Sequence, residues 1–281
     1  MEVIKTVKEI RNKVDKLKSE GKKVGFVPTM GALHEGHLSL VRCSKKDNDI
    51  TVVSIFVNPT QFNDPKDLEK YPRMLDKDME KLEKEGVDIL FAPDEKEMYP
   101  EPDTRQFDFG YLDKVLEGKY RPGHFNGVAQ IVSKLFEAVP AQKAYFGLKD
   151  YQQYLIVRAL VGKYMPGYDI EIIGCPIVRE HDGLAMSSRN LLLSPSQRRS
   201  AAMISQMLFR AKELKEIMDV SELRQFVIDS LNLDENLKVE YFEIVDADTL
   251  EAVESWNDAK NIIGLIAVYD GDVRLIDNIM F

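Results

Sequence analysis

A chain of 281 residues, 44% apolar and 30% charged, has material for one large folded unit or two modest ones, with a sizeable buried core. Its 38 Lys and Arg against 47 Asp and Glu give a formal charge of −9, the wrong sign for a nucleic-acid partner. No uninterrupted apolar run approaches the roughly 20 residues that span a bilayer, which excludes a membrane-spanning helix.

In chain order, Met1-Glu2-Val3-Ile4-Lys5 reads as the opening of an amphipathic charged helix. It lacks the apolar core of a secretory signal, so a cytoplasmic location is expected. Five short runs rich in β-branched and aromatic residues follow, at 23–28, 51–57, 88–92, 143–146 and 169–175. They show little polar alternation, as strands covered on both faces should. Amphipathic stretches at 38–46, 68–85, 128–138 and 151–163 lie between them and predict helices. That alternation implies an α/β domain over 1–177, with a Rossmann-like, doubly wound parallel sheet. After Ile177 the pattern changes. Ser194-Pro195 opens a long helix, 221–231 forms a second, and runs at 238–245, 262–269 and 273–280 close the chain. The last two runs are joined by Asp270-Gly271, a hairpin signal. A smaller C-terminal α+β domain over 178–281 is therefore expected. Cys43 and Cys175 belong to no Cys-x-x-Cys pair and read as inert core thiols.

Five clusters carry chemistry. Directly after the first strand stands Met30-Gly31-Ala32-Leu33-His34-Glu35-Gly36-His37. A Gly-bearing turn from strand into helix aims backbone N–H groups and the positive helix end at an anion. His34 and His37 share one helix face there and can donate to phosphate oxygens as charge builds. Gly36 lets a nucleotide come close to the backbone. As a metal motif, His-Glu-x-His is one residue short of zincin spacing, so no metal ligand is assigned. Next, at the end of the second strand, come Asn58-Pro59-Thr60-Gln61-Phe62. Ligands of open parallel sheets bind beyond the carboxyl ends of the strands, so the Asn58 and Gln61 amides could hold a small substrate. Asn58 could equally do no more than build the Asn-Pro turn. Arg121-Pro122-Gly123-His124-Phe125-Asn126-Gly127 is a turn-rich loop in which His124 is structural or functional. In Gly147-Leu148-Lys149-Asp150, followed by Gln152-Gln153, a strand again passes through a glycine into a helix. Lys149 is placed to touch a triphosphate, Asp150 to cap the helix or bind ribose, and Gln153 to face the cleft. Finally, Asp182-Gly183-Leu184-Ala185-Met186-Ser187-Ser188-Arg189-Asn190 sets two hydroxyls and a guanidinium in a row, fit to clamp phosphate. At the domain boundary this loop could close over a nucleotide.

Together the clusters resemble the pantothenate synthetase (pantoate–β-alanine ligase) family. The resemblance rests on MGALHEGH from Met30, NPTQF from Asn58, YPR from Tyr71, RPGHFNG from Arg121, FGLKDYQQ from Phe146 and DGLAMSSRN from Asp182, in the family's order. It implies a nucleotidylyltransferase-type Rossmann domain with a His-x-Gly-His motif. Met186-Ser187-Ser188-Arg189 would stand in for the Lys-Met-Ser-Lys-Ser loop. It further implies ATP and Mg²⁺ as requirements, pantoate and β-alanine as substrates, and a homodimer. By position, residues 30–37, Gly147, Leu148, Lys149, Asp150, Val178, Met186, Ser187, Ser188 and Arg189 would bind ATP. Gln61 and Gln153 would bind pantoate, and His37 would act as proton donor.

The expected chemistry is attack of the pantoate carboxylate on the α-phosphorus of ATP, followed by attack of β-alanine on the pantoyl-adenylate. His34, His37, Lys149, Ser187, Ser188 and Arg189 are expected on the phosphates, where positioning and charge stabilisation dominate. Two rivals remain at this level. A truncated aminoacyl-tRNA synthetase is opposed by the acidic charge and the lack of an anticodon-binding domain. A regulatory nucleotide-binding module is opposed by the intact His37, Lys149 and Arg189.

Overall fold

The computed structural model describes residues 1–62, 68–69 and 71–281. The chain divides into two compact units, Met1–Leu148 with Gln152–Pro176, and Lys149–Tyr151 with Ile177–Phe281.

Among the described residues the first unit is built on β1 (Glu2–Ile4), β2 (Val24–Thr29), β3 (Ile50–Ile55), β4 (Ile89–Phe91), β5 (Lys143–Gly147) and β6 (Glu171–Cys175). Their order is β1-β4-β3-β2-β5-β6, and every neighbouring pair runs parallel. Between them lie α1 (Val7–Ser19), α2 (Glu35–Asp47), α3 (Leu75–Lys84), the single turns α4 (Glu95–Met98) and α5 (Glu117–Tyr120), α6 (His124–Ala138) and α7 (Tyr151–Tyr164). The continuous apolar runs are explained by two cores. Val24, Phe26, Val52, Phe91 and Phe146 pack on one face with Ile10 and Val14 of α1 and most of α6. Their immediate neighbours Val27, Val53, Leu90 and Tyr145 point the other way, onto Leu40 and Val41 of α2 and Leu82 of α3. With side chains alternating across the pleat, both faces must be apolar. The buried Tyr145 hydroxyl accepts from Asn48 Nδ2 at 2.7 Å and donates to Asp47 at 3.2 Å. Cys175 lies in the second core, its thiol pushed up to about 12 by burial first and by the neighbouring Cys43 thiol second.

Two expectations are corrected. Residues 1–5 do not open a helix: Glu2–Ile4 pairs in parallel with β4 at the sheet edge, and α1 begins only after Thr6, whose hydroxyl caps Glu9 N–H. Three residues are too few to display a period of two, so only the pairing partner decides. The helix expected over 68–85 includes residue 70, which lies outside the described residues. Leu68 and Glu69 are helical, and the longer helix starts at Leu75. Pro72 explains the late start, since it lacks an N–H and biases the residue before it away from helical geometry.

The second unit is a three-stranded antiparallel meander, β7 (Leu237–Asp246), β8 (Ile262–Asp270) and β9 (Val273–Met280), with α8 (Pro195–Leu214) and α9 (Val220–Leu231). Ala201, Ile204 and Leu208 of α8, Leu223 and Val227 of α9, and Phe242, Ile266 and Val268 of the strands share its core. Ser194 and Asp219 begin the two helices as capping boxes with Gln197 and Glu222. No described helix is long and apolar enough to cross a membrane.

Candidate active site

In the first unit the chain direction across the sheet reverses beside β2: β3 and β4 extend to one side, β5 and β6 to the other. Ligands in such sheets lie outside the carboxyl ends of the strands flanking the reversal. Residues 30–37 follow β2 and Gly147 ends β5, so both sequence clusters leave the sheet at that point.

The turn after β2 is tightly specified. Gly31 (φ 81°) and Ala32 (φ 49°) are both left-handed, so the successive N–H groups of 32 and 33 face one side. The anion they face belongs to the protein. Asp78 of α3, fully buried, accepts from Ala32 N–H and Leu33 N–H at 2.8 Å each. Gly31 N–H donates to Thr29 Oγ1 at 3.2 Å, and that hydroxyl donates to the Ser54 carbonyl at 2.8 Å. The expectation that the turn's own amides face a ligand is corrected, because these three are used internally.

α2 starts at His34. His34 N–H donates to His37 Nδ1 at 3.3 Å, and the two rings lie 4.0 Å apart, tilted by 39°. Because Nδ1 accepts, the neutral His37 ring carries its proton on Nε2, where it can be donated to an oxyanion. Glu35 points elsewhere: it pairs with Arg42, which also holds Glu85, and this contact keeps the Glu35 carboxyl below its usual range.

Gln61 is brought against the same turn. Its Nε2 lies 3.1 Å from Met30 Sδ, and its Oε1 accepts from Asn58 Nδ2 at 3.2 Å. Asn58 itself is 1% exposed and its amide is spent inside the protein. Nδ2 also donates to the Gly127 carbonyl at 3.1 Å, while Oδ1 accepts from the Tyr99 and Thr60 hydroxyls at 2.7 and 3.3 Å. Its expected contact with substrate is thus corrected to orienting Gln61. His124 resolves similarly. It is buried, its Nδ1 donates to the Gln61 carbonyl at 2.8 Å, and its Nε2 lies 3.2 Å from Arg121. On the first turn of α7 the paired glutamines separate. Gln152 is buried and bonds Glu117 N–H and the Leu112 and Val115 carbonyls, whereas Gln153 is half-buried with its amide unengaged among the described residues.

The other expected phosphate groups belong to the second unit. Lys149, 18% exposed, lies 3.6 Å from Asp150, and its carbonyl accepts from Asn278 Nδ2 of β9 at 3.0 Å. Residues 178–190 fold back on themselves: Met186 N–H donates to the Val178 carbonyl at 3.0 Å, and Arg179 and Ala185 form an antiparallel bridge. The base of this loop is fixed by Arg179, which donates to both oxygens of buried Asp277 at 2.6 and 2.9 Å. Ser187 Oγ caps the following turn through Arg189 N–H at 3.2 Å, so Ser187, Ser188 and Arg189 stand half-buried at a helical start. Sequence reasoning missed Asp78, Asp277 and Asn278. Asp78 had a signal, since Leu75, Asp78, Met79 and Leu82 form one helical stripe and a carboxylate on it is out of place. Asp277 and Asn278 had none.

A parallel sheet with His-x-Gly-His at its reversal defines an α/β fold of the nucleotidylyltransferase type. The chain matches the family described as pantoate-beta-alanine ligase over residues 2–280. It is 56% identical over 281 residues to pantothenate synthetase of Bacteroides fragilis, covering 100% of this chain and 99% of that one. Pantothenate synthetase from Thermus thermophilus superposes with a TM-score of 0.92 at 42% identity, covering 99% of both chains. Pantoate-beta-alanine ligase from Francisella tularensis, complexed with beta-gamma ATP and beta-alanine, gives 0.84 at 36%, covering 100% of this chain and 97% of that one. The chain belongs to the pantoate–β-alanine ligase family, whose ATP-dependent reaction condenses pantoate with β-alanine to pantothenate.

Proposed function

We propose that this chain makes pantothenate in two steps. The pantoate carboxylate attacks the α-phosphorus of ATP, pyrophosphate leaves, and a pantoyl-adenylate remains. The amine of β-alanine then attacks the adenylate carbonyl, AMP leaves, and the amide forms. The observation that carries the reading is the juxtaposition of Met30, His34, His37 and Gln61 beside the sheet reversal. A phosphate-directed histidine pair and a carboxylate-directed amide there stand on one short stretch of structure.

Each residue has a definite part in the proposal. His37 donates from Nε2 to the phosphate oxygens as charge builds on them, with His34 beside it. Lys149, Ser187, Ser188 and Arg189 neutralise and hold the remaining phosphate oxygens, Arg189 as a planar fork. Met30, Gly36, Gly147, Leu148, Asp150, Val178 and Met186 supply the surrounding nucleotide surface, with Gly31, Ala32, Leu33 and Glu35 shaping the turn and helix start that present it. Gln61 and Gln153 hold pantoate, and positioning of the two reactants provides most of the rate. Mg²⁺ supplies charge neutralisation of the triphosphate. The ion would be held largely by the phosphates and water, which Mg²⁺ prefers as ligands. A homodimer in the cytoplasm completes the proposal, supported by family membership.

Isotope exchange between pyrophosphate and ATP tests it. Exchange should require pantoate and proceed without β-alanine. Exchange that needs β-alanine, or that ignores pantoate, would remove the adenylate from the scheme.

A further inference from the structure

We infer that Asp78 is a positioning residue for ATP: its buried carboxylate fixes the path of residues 30–33 and thereby aims the start of α2 at the phosphates. This rests on the reading that His34 and His37 contact ATP.

The backbone of this turn does not hold its shape unaided. Ala32 is left-handed without being glycine, at a cost of about 1 kcal/mol, and follows the left-handed Gly31. Two amides facing one side also repel each other unless an acceptor sits between them. Asp78 supplies both lone pairs, one oxygen to Ala32 N–H and the other to Leu33 N–H, each at 2.8 Å. One helical turn later, Lys81 Nζ donates to the Leu33 carbonyl at 2.5 Å. α3 therefore grips Leu33 by both its N–H and its C=O, immediately before the residue that caps α2.

Several features separate this from ordinary core bonding. The carboxylate is fully buried, and its bonds run to a turn and to no sheet or helix ladder. The space is tight, since a Cβ on Gly31 would stand 3.1 Å from Asp78 Oδ2. His34 N–H, one residue past the clamp, donates to the His37 ring at 3.3 Å. A displaced turn would move the start of α2, which faces ATP in this reading, and leave the Gln61 loop in place, so a clamp here acts on ATP binding through geometry.

Asp78→Asn tests the inference in the full chain. It preserves shape but turns one acceptor into an NH₂ that confronts an N–H. The Michaelis constants for ATP and pantoate are measured along with the melting transition. A rise of tenfold or more for ATP, with pantoate changed less than twofold, is expected. Lys81→Met, which removes only the bond to the Leu33 carbonyl, should shift the same ratio about threefold. Parallel changes for both substrates, or none, would overturn the positioning role. If Asp78→Asn does not fold, the ratio in Lys81→Met decides alone. His37→Ala is run beside them. If pyrophosphate exchange is unchanged in it, the ATP reading of the turn falls, and this inference with it. If exchange slows while both clamp variants leave the ratio unmoved, only the role of Asp78 falls.

Discussion

In His37 one hydrogen bond selects the tautomer of a ring. With Nδ1 accepting from His34 N–H at 3.3 Å, the proton of the neutral ring resides on Nε2. Sequence spacing had put both histidines on one face but could not choose between ring nitrogens. His37→Ala should slow single-turnover adenylate formation by about two to four powers of ten, the range for a preorganised donor. Thermal stability should be nearly unchanged, because the partly buried ring belongs to none of the apolar cores. A loss under tenfold would exclude His37 as the donor. Asn58 and Gln61 illustrate the limit of reading residues singly. Both amides looked equally fit for substrate, yet three positions apart one is buried among Gly127, Tyr99 and Thr60 while the other is held beside Met30. Burial separates them, and burial is a property of the surroundings.

At the scale of elements, the loop carrying Gln61 is shaped by α6. His124 holds the Gln61 carbonyl, and Gly127 one turn on lets the helix approach so closely that a Cβ would collide with the Thr60 carbonyl. Helix propensity favours Gly127→Ala by about 1 kcal/mol. The obstacle is backbone, which cannot swing aside as a side chain would, and overpacking of this kind costs about 1–3 kcal/mol. The clash should win. The variant is expected to melt a few degrees lower and to lose affinity for pantoate more than for ATP. Calorimetry with substrate titration checks both, and a melting point at or above that of the parent chain would refute the close approach. His124 and Gly127 stood together in the sequence as a turn-rich cluster, but their target, the Thr60–Gln61 peptide, was not visible there. Short elements failed for a related reason. β1 exists because β4 offers it an edge, and its three residues alone carry no pattern.

At the scale of the whole molecule, stability should respond to pH through Asp270 in the second unit. It ends β8 fully buried, with neither carboxylate oxygen hydrogen-bonded among the described residues. Burial chiefly, and the nearby Asp234 charge secondarily, push its carboxyl up from 3.8 to about 6. A carboxyl raised in the folded state favours folding most when protonated, so its penalty is absent below about pH 4. The penalty grows as pH climbs toward 6 and stays constant above. Asp270→Asn should therefore stabilise the chain by about 1–3 kcal/mol at pH 7 to 8, with the gain vanishing near pH 4. Melting curves across that range read the difference directly, and a gain that persists at pH 4 would contradict the assignment.

The linear order of residues was enough for the class of fold and the family. Apolar runs without alternation are buried between two helical layers, and His-x-Gly-His, Asn-Pro-Thr-Gln-Phe and Ser-Ser-Arg are legible because each is a run of adjacent residues. Which polar groups face inward was left to the folded chain. Asp78 reaches a turn more than forty positions away, Asp277 reaches Arg179 and Asn278 reaches Lys149 across about a hundred or more. Hydrogen bonds depend on distance in space, and no period, propensity or spacing along the chain encodes a contact of that reach.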